Sequence, residues 1–196
     1  MNTLKAEKRD MKTKAKKLRR EGFVTGVIFG KELEEAIPLQ ITVKDAERFL
    51  KNGGKGSKVT LEVDGTSMEA LVKEVDYNPL KRQILEMDFQ ALVKGEKVHS
   101  TAEIVLLNHD KIQEGVIEKV LNEVSYRALP ESLVEKIEID MASLKVGDTI
   151  KVGDLPIASD KNVDLMTDPE AVVVTVVEVH NTVPETEETE EEAQTE

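Results

Sequence analysis

The hydrophobic positions of this chain recur mainly with a period of two, in short segments separated by turn residues. That spacing predicts strands, because successive side chains of a strand point to opposite faces. The clearest segment begins at Lys58. Val59, Leu61 and Val63 alternate with Lys58, Thr60 and Glu62, and Asp64-Gly65 separates this run from "TSMEALVKEV". Asp-Gly between two such runs signals a type I′ hairpin turn. "TLKAEKR" (3–9) predicts a first strand. "FVTGVIFG" (23–30) is apolar on both faces and predicts a central, well-covered strand ending at Gly30. "AIPLQITV" (36–43) predicts a strand that Pro38 should place at an edge or make irregular. "NPL" (78–80) marks a turn. In "QILEMDFQALV" (83–93), Leu85, Met87, Phe89 and Ala91 are expected on one face, with Ile84, Glu86, Asp88 and Gln90 on the other. One segment departs from this period. "KDAERFLKNGG" (44–54) places Ala46, Phe49 and Leu50 on one side of a short helix, with Gly53 or Gly54 to end it.

The second half repeats the style without repeating the sequence. Strands are expected at 98–107, 116–129, 136–141 and 171–179, with a helical turn after Pro130 and turns at the two Val-Gly-Asp steps of 145–155. The fold expected is mainly β (α+β). A small antiparallel β-barrel with one to three short helices covers 1–94, a second mainly-β domain covers 95–182, and "KGEK" (94–97) lies at the boundary. "ETEETEEEAQTE" is acidic and lacks large apolar groups, so 183–196 is expected to be a disordered tail.

Composition sharpens this picture in two ways. With four Phe, two Tyr and no Trp, the core must be aliphatic. With no Cys, disulfides, thiolate zinc sites and cysteine nucleophiles are excluded. The basic N-terminus lacks the apolar stretch of a signal peptide, and the longest apolar-rich run, 171–179, is too short to span a bilayer. A cytoplasmic protein without a membrane partner is expected.

Charge changes the picture more. The formal net charge is -12, yet residues 1–95 hold 19 basic and 15 acidic side chains. Residues 96–180 hold 8 basic and 17 acidic, and 181–196 hold 7 acidic and no basic ones. Within the basic half, Lys12, Lys14, Lys16, Lys17, Arg19 and Arg20 fall between Met11 and Arg20 with no acidic residue among them. A merely solvated helix intersperses Glu or Asp for i,i+4 pairing. Six like charges in ten residues repel one another unless a polyanion neutralises them. Met11, Ala15 and Leu18 are too little apolar surface for an interfacial membrane helix. The block therefore points to nucleic acid. The acidic half serves solubility or faces a basic partner.

Catalysis finds no support. His99, His109 and His180 stand in no recognisable motif, and no GxSxG, HExxH, Walker A or GxGxxG pattern occurs. "NGGKGS" (52–57) follows a helix instead of a strand and reads as a flexible loop. No cofactor, metal or small-molecule substrate is expected. No helix-turn-helix or zinc-finger spacing is present either. A β-barrel with a basic segment suits the wide, shallow minor groove of A-form RNA. There the guanine 2-amino group is a donor that Asp88 can accept from, while Lys81, Arg82 and the basic block hold phosphates.

The ordered set "R…KKLRREGFV-GVIFGK", the hairpin and "NPLKRQILEMDFQ" resembles the first domain of a family of bacterial large-subunit ribosomal proteins. This is the L twenty-five family in its long, two-domain form, also called general stress protein CTC. The likeness continues through "GVIEKVLNEVSYRALPESLVEKIEIDMASLKVGDTIKVGDL" and "DPEAVVVTVV", so it covers nearly the whole chain. It implies a structural protein that binds 5S ribosomal RNA in the central protuberance of the large subunit, beside other large-subunit proteins. Carried over position by position, the RNA-binding set is Arg9, Lys14, Lys16, Lys17, Arg19, Arg20, Phe29, Lys31, Asn78, Lys81, Glu86 and Asp88. Two positions depart from the family pattern: Phe29 stands where Tyr is usual, and Glu86 where His is usual in an H-x-D-F motif. The basic segment is also shorter and more purely basic than in the family. The alternative implied is a stress-related interaction protein of the same family with weakened 5S rRNA binding, acting through its acidic C-terminal domain.

Overall fold

The computed structural model describes residues 2–51, 53–111 and 115–178. The first half comprises β1 (Asn2–Lys8), α1 (Ala15–Arg20), β2 (Phe23–Phe29), β3 (Ile37–Thr42), α2 (Val43–Leu50), β4 (Lys58–Val63), β5 (Thr66–Asn78) and β6 (Gln83–Ala91). Its six strands close into a barrel in the order β1-β3-β2-β6-β5-β4. Four pairings are antiparallel, while β1 with β4 and β2 with β6 run parallel. Closure leaves no edge, so Pro38 lies in an interior strand. β3 pairs with β2 on one side and β1 on the other, and the Arg9 N–H donates to the Pro38 carbonyl at 2.9 Å. The core is aliphatic apart from Phe49 and Phe89. α2 starts at Thr42, whose hydroxyl accepts from the Asp45 N–H at 3.2 Å, and buries Ala46 and Phe49. At the β4–β5 turn Asp64 and Gly65 have φ of 49° and 86°, as a type I′ turn demands.

β6 corrects the expected alternation. Asp76 pairs with Glu86, but Tyr77 pairs with Ile84, so Leu85 is an extra residue in β6. This bulge turns Ile84 inward, and Ile84, Met87 and Phe89 enter the core while Leu85 does not. A second irregularity, at Lys73, bends β5.

The second half comprises β7 (Val98–Leu107), β8 (Val116–Lys119), β9 (Glu123–Ala128), β10 (Lys136–Asp140), β11 (Thr149–Lys151), β12 (Val163–Leu165) and β13 (Val172–Val177). They form one sheet in the order β10-β7-β9-β12 and another in the order β11-β13-β8. The single strand expected over 116–129 is two strands in different sheets. The chain crosses between them where the Val120 and Leu121 N–H groups both donate to the Val173 carbonyl. The two Val-Gly-Asp steps also differ: Gly147 has φ of 93° in a turn, whereas Val152–Asp154 is a 3-10 turn. A separate core holds Ile104, Val124, Tyr126, Met141 and Val173. Among the described residues no helix is long and apolar enough to cross a membrane. The acidic tail expected at 183–196, and His180, lie outside the described residues.

Candidate nucleic-acid interface

The basic block opens with a turn. The Asp10 carboxylate accepts from the Lys12 N–H at 2.9 Å, and the Asp10 carbonyl accepts from the Thr13 N–H at 3.0 Å. Arg9 braces this turn by donating from Nη2 to the Thr13 carbonyl at 3.1 Å, while its Nε is buried without a partner. α1 follows, with Lys17, Arg19 and Arg20 in its last turn, where cations oppose the negative end of the helix dipole. Leu18 is buried and Lys14, Lys16, Lys17 and Arg20 are exposed. Lys17 pairs with Glu21 at 3.8 Å, an exposed contact of little weight.

Arg19 differs from its neighbours. Its Nε donates to the Leu85 carbonyl at 3.1 Å, and its Nη2 reaches the Thr25 hydroxyl at 3.4 Å. The same carbonyl accepts from the Thr25 hydroxyl at 3.3 Å. The guanidinium thus fastens α1 to the bulge in β6, directly before Glu86.

On β2, Val24 and Ile28 face the core, so Thr25, Val27 and Phe29 face outward. Parallel pairing sets Thr25 opposite Glu86, Val27 opposite Asp88 and Phe29 opposite Gln90. On the far side of β6, Asp76 pairs with Glu86 and Glu74 with Asp88. Four carboxylates therefore form two facing pairs on one outer surface. Like charges directly opposite are destabilising in a sheet. Asp88 bears the consequence. Burial, helped by Glu74, pushes its carboxyl above the ordinary range, although Oδ1 accepts from the Val27 N–H at 3.2 Å. Such a local cost belongs to surfaces with a use beyond folding.

The sites expected from sequence fall into three groups. Lys14, Lys16 and Arg20 are free to meet phosphates, Lys17 is held only by its exposed pair with Glu21, and Glu86 and Asp88 lie on the outward row. Arg9, Arg19 and Asn78 have local work: Asn78 Oδ1 accepts from the Lys81 N–H at 3.1 Å and shapes the β5–β6 turn. Phe29 lies at the end of the row and is 37% exposed, while Lys31 is ion-paired with Glu96. The sequence reading missed Glu74 and Asp76, and also Tyr77 and Leu80 near the turn, the latter 95% exposed. The turn at 78–82 would by itself set Asp76 across from Leu85, and the bulge moves it to Glu86. Among the described residues no group of side chains could hold a metal ion.

A family model described as the ribosomal L25p family matches residues 4–89, from β1 into β6. A second, described as ribosomal protein TL5, C-terminal domain, matches 97–180. The chain is similar to proteins named large ribosomal subunit protein bL25. It is 31% identical to that of Caldanaerobacter subterraneus subsp. tengcongensis over 89% of this chain and 88% of the relative. It is 32% identical to that of Geobacillus thermodenitrificans (87% and 81%) and 33% identical to that of Gloeothece citriformis (89% and 90%). With both halves matched and relatives covered over most of their length, the chain belongs to the ribosomal L25p family, in a form that carries a TL5-type C-terminal domain.

Proposed function

We propose that the chain is a structural protein of the large ribosomal subunit, located in the cytoplasm, and that residues 1–94 bind 5S ribosomal RNA. Its relatives are named as ribosomal proteins, and the role is one of binding, with no reaction to catalyse. The observation that carries the RNA reading is the junction at Leu85. There Arg19 fastens a basic turn and helix to a strand whose next outward residues are Glu86 and Asp88. Exposed lysines capture phosphates with release of counterions. The outward row then lies across a shallow minor groove, where a carboxylate accepts from a guanine 2-amino group. Phosphate contacts set register and carboxylates read bases.

Filter binding of 5S rRNA against a generic A-form duplex, repeated across salt, tests this. Tighter binding of 5S rRNA with a negative salt slope is expected. Equal affinity for both, or no salt dependence, would overturn it. The facing carboxylate pairs, with Glu86 in the position where the family usually has His, favour a second reading. In it 5S rRNA binding is weakened and the acidic residues 95–182 act on a basic protein partner. Co-sedimentation with large subunits at rising salt separates the two, since the second reading predicts early release.

A further inference from the structure

β5 is 13 residues long, and β4 covers only its first part. The pairing with β4 runs from Thr66 to Leu71. The loop before β4 extends it by one residue: the Gly56 N–H donates to the Val72 carbonyl at 2.9 Å, and the Val72 N–H donates to the Ser57 carbonyl at 3.0 Å. From Lys73 to Asn78, β6 alone pairs with β5 among the described residues. An antiparallel pair uses the backbone groups of alternate residues, so the remaining N–H and C=O groups of this stretch face away from β6 with no strand beside them. The side chains sort by face. Glu74 and Asp76 are exposed on the outer surface, while Val75 packs against the barrel core and Tyr77, on the same side, is 48% exposed. Glu74 and Asp76 stand opposite Asp88 and Glu86, and among the described residues neither has a cation as partner.

An unpaired strand edge takes up another strand through its free backbone groups. We propose that the 73–78 edge of β5 binds an extended segment of another protein in which basic residues alternate with apolar ones. Added as a strand, the segment satisfies the free backbone groups of β5. Its period of two then sets basic side chains beside Glu74 and Asp76, and apolar ones beside Val75 and Tyr77. The basic side chains offset the repulsion between the facing carboxylates of β5 and β6. Charge selects against two other occupants. A second copy of this chain, paired edge to edge, would set carboxylates against carboxylates, and an RNA phosphate at this edge would meet the same repulsion. The edge is distinct from the exposed lysines of α1, and the proposal holds whether or not they bind 5S rRNA.

The test is 15N–1H NMR of the full chain, titrated with a short synthetic peptide of alternating lysine and valine, blocked at both ends. Saturable shifts centred on the 73–78 amides are expected. The same peptide N-methylated at every residue keeps its charge but cannot donate along its backbone, and should produce no saturable shift. A peptide with glutamate in place of lysine should not bind. Glu74→Gln/Asp76→Asn, which keeps side-chain shape and removes both charges, should weaken the lysine peptide about fivefold, with peak dispersion confirming that the variant is folded. Failure of the lysine peptide to saturate these amides overturns the proposal. So does equal binding of the N-methylated peptide, which would mean charge attraction alone, or of the glutamate peptide. Shifts of the same amides with 5S rRNA and not with the lysine peptide would assign the edge to RNA and also overturn it.

Discussion

Arg19 is the basic residue whose role the structure changes most, and replacing it separates fastening from phosphate binding. The Leu85 carbonyl receives Arg19 Nε at 3.1 Å and the Thr25 hydroxyl at 3.3 Å. The Arg19 Nη2 contact with Thr25, at 3.4 Å, is too long to add much. A hydrogen bond from a charged group contributes about 1.5–3 kcal/mol net. In Arg19→Ala the Thr25 hydroxyl still serves the carbonyl, which favours the lower end. Loss of the Arg19 stem over Thr25, itself 1% exposed, adds to it. The expected destabilisation is about 2 kcal/mol, or a shift of about 1 M in the urea midpoint for a slope of about 2 kcal/mol per M. NMR peaks of β2 and β6 should follow the transition, because Tyr126 reports the other domain. Arg19→Lys is the sharper variant. It keeps the charge but loses the planar fork, so fastening predicts a loss of at least about 1 kcal/mol with an unchanged salt slope for RNA. The reasoning is refuted if Arg19→Lys stays within about 0.5 kcal/mol of the parent. It is also refuted if Arg19→Ala lowers the salt slope by about one.

Further outcomes are specific. Lys14→Glu/Lys16→Glu should leave urea stability nearly unchanged, since both side chains are exposed, and should flatten the salt slope of RNA binding by about two in filter assays. Glu86→His should tighten 5S rRNA binding, because it restores a donor and removes one of two facing like charges; weaker binding would show that Glu86 makes a favourable contact of its own. Gly56→Ala should destabilise by more than about 2 kcal/mol in thermal melts, given the positive φ and the Thr101 carbonyl in its way. Asp88 should link pH to both properties. Its folded pKa is raised, so the folded state holds the proton longer and stability falls as pH rises through that pKa. RNA affinity should move oppositely, weakening as the carboxylate is protonated, and Asp88→Asn should remove both trends.

Much of the fold was legible because its signals are local. Period-two alternation, Asp64-Gly65 and Pro130 before a helical turn each act within a few residues. What was not legible depends on partners far along the chain. The parallel pairings of β1 with β4 and β2 with β6 leave no local trace. Nor does the change of sheet at Val120, or the bulge at Leu85, which exists only relative to the register of β5. The site divides in the same way. The concentration of lysine and arginine is visible in any reading of the sequence. That Arg19 turns inward while Lys16 stays in solvent depends on what lies beneath each of them. The weight of Glu74 and Asp76 appears only when the β5–β6 hairpin brings them opposite Asp88 and Glu86.

The Leu85 bulge joins these strands of reasoning. In an unbroken strand with Ile84 in the core, Glu86 and Asp88 would also point inward, where two carboxylates could not be tolerated. One extra residue reverses the parity, so Ile84 and Met87 both reach the core and the two carboxylates emerge on the outer face. The same extra residue presents the carbonyl that Arg19 and Thr25 satisfy. The basic helix is therefore fastened to the distortion that turns the carboxylates outward. Groups suited to phosphates and groups suited to base edges form one mechanical unit, although they lie more than 60 residues apart in sequence.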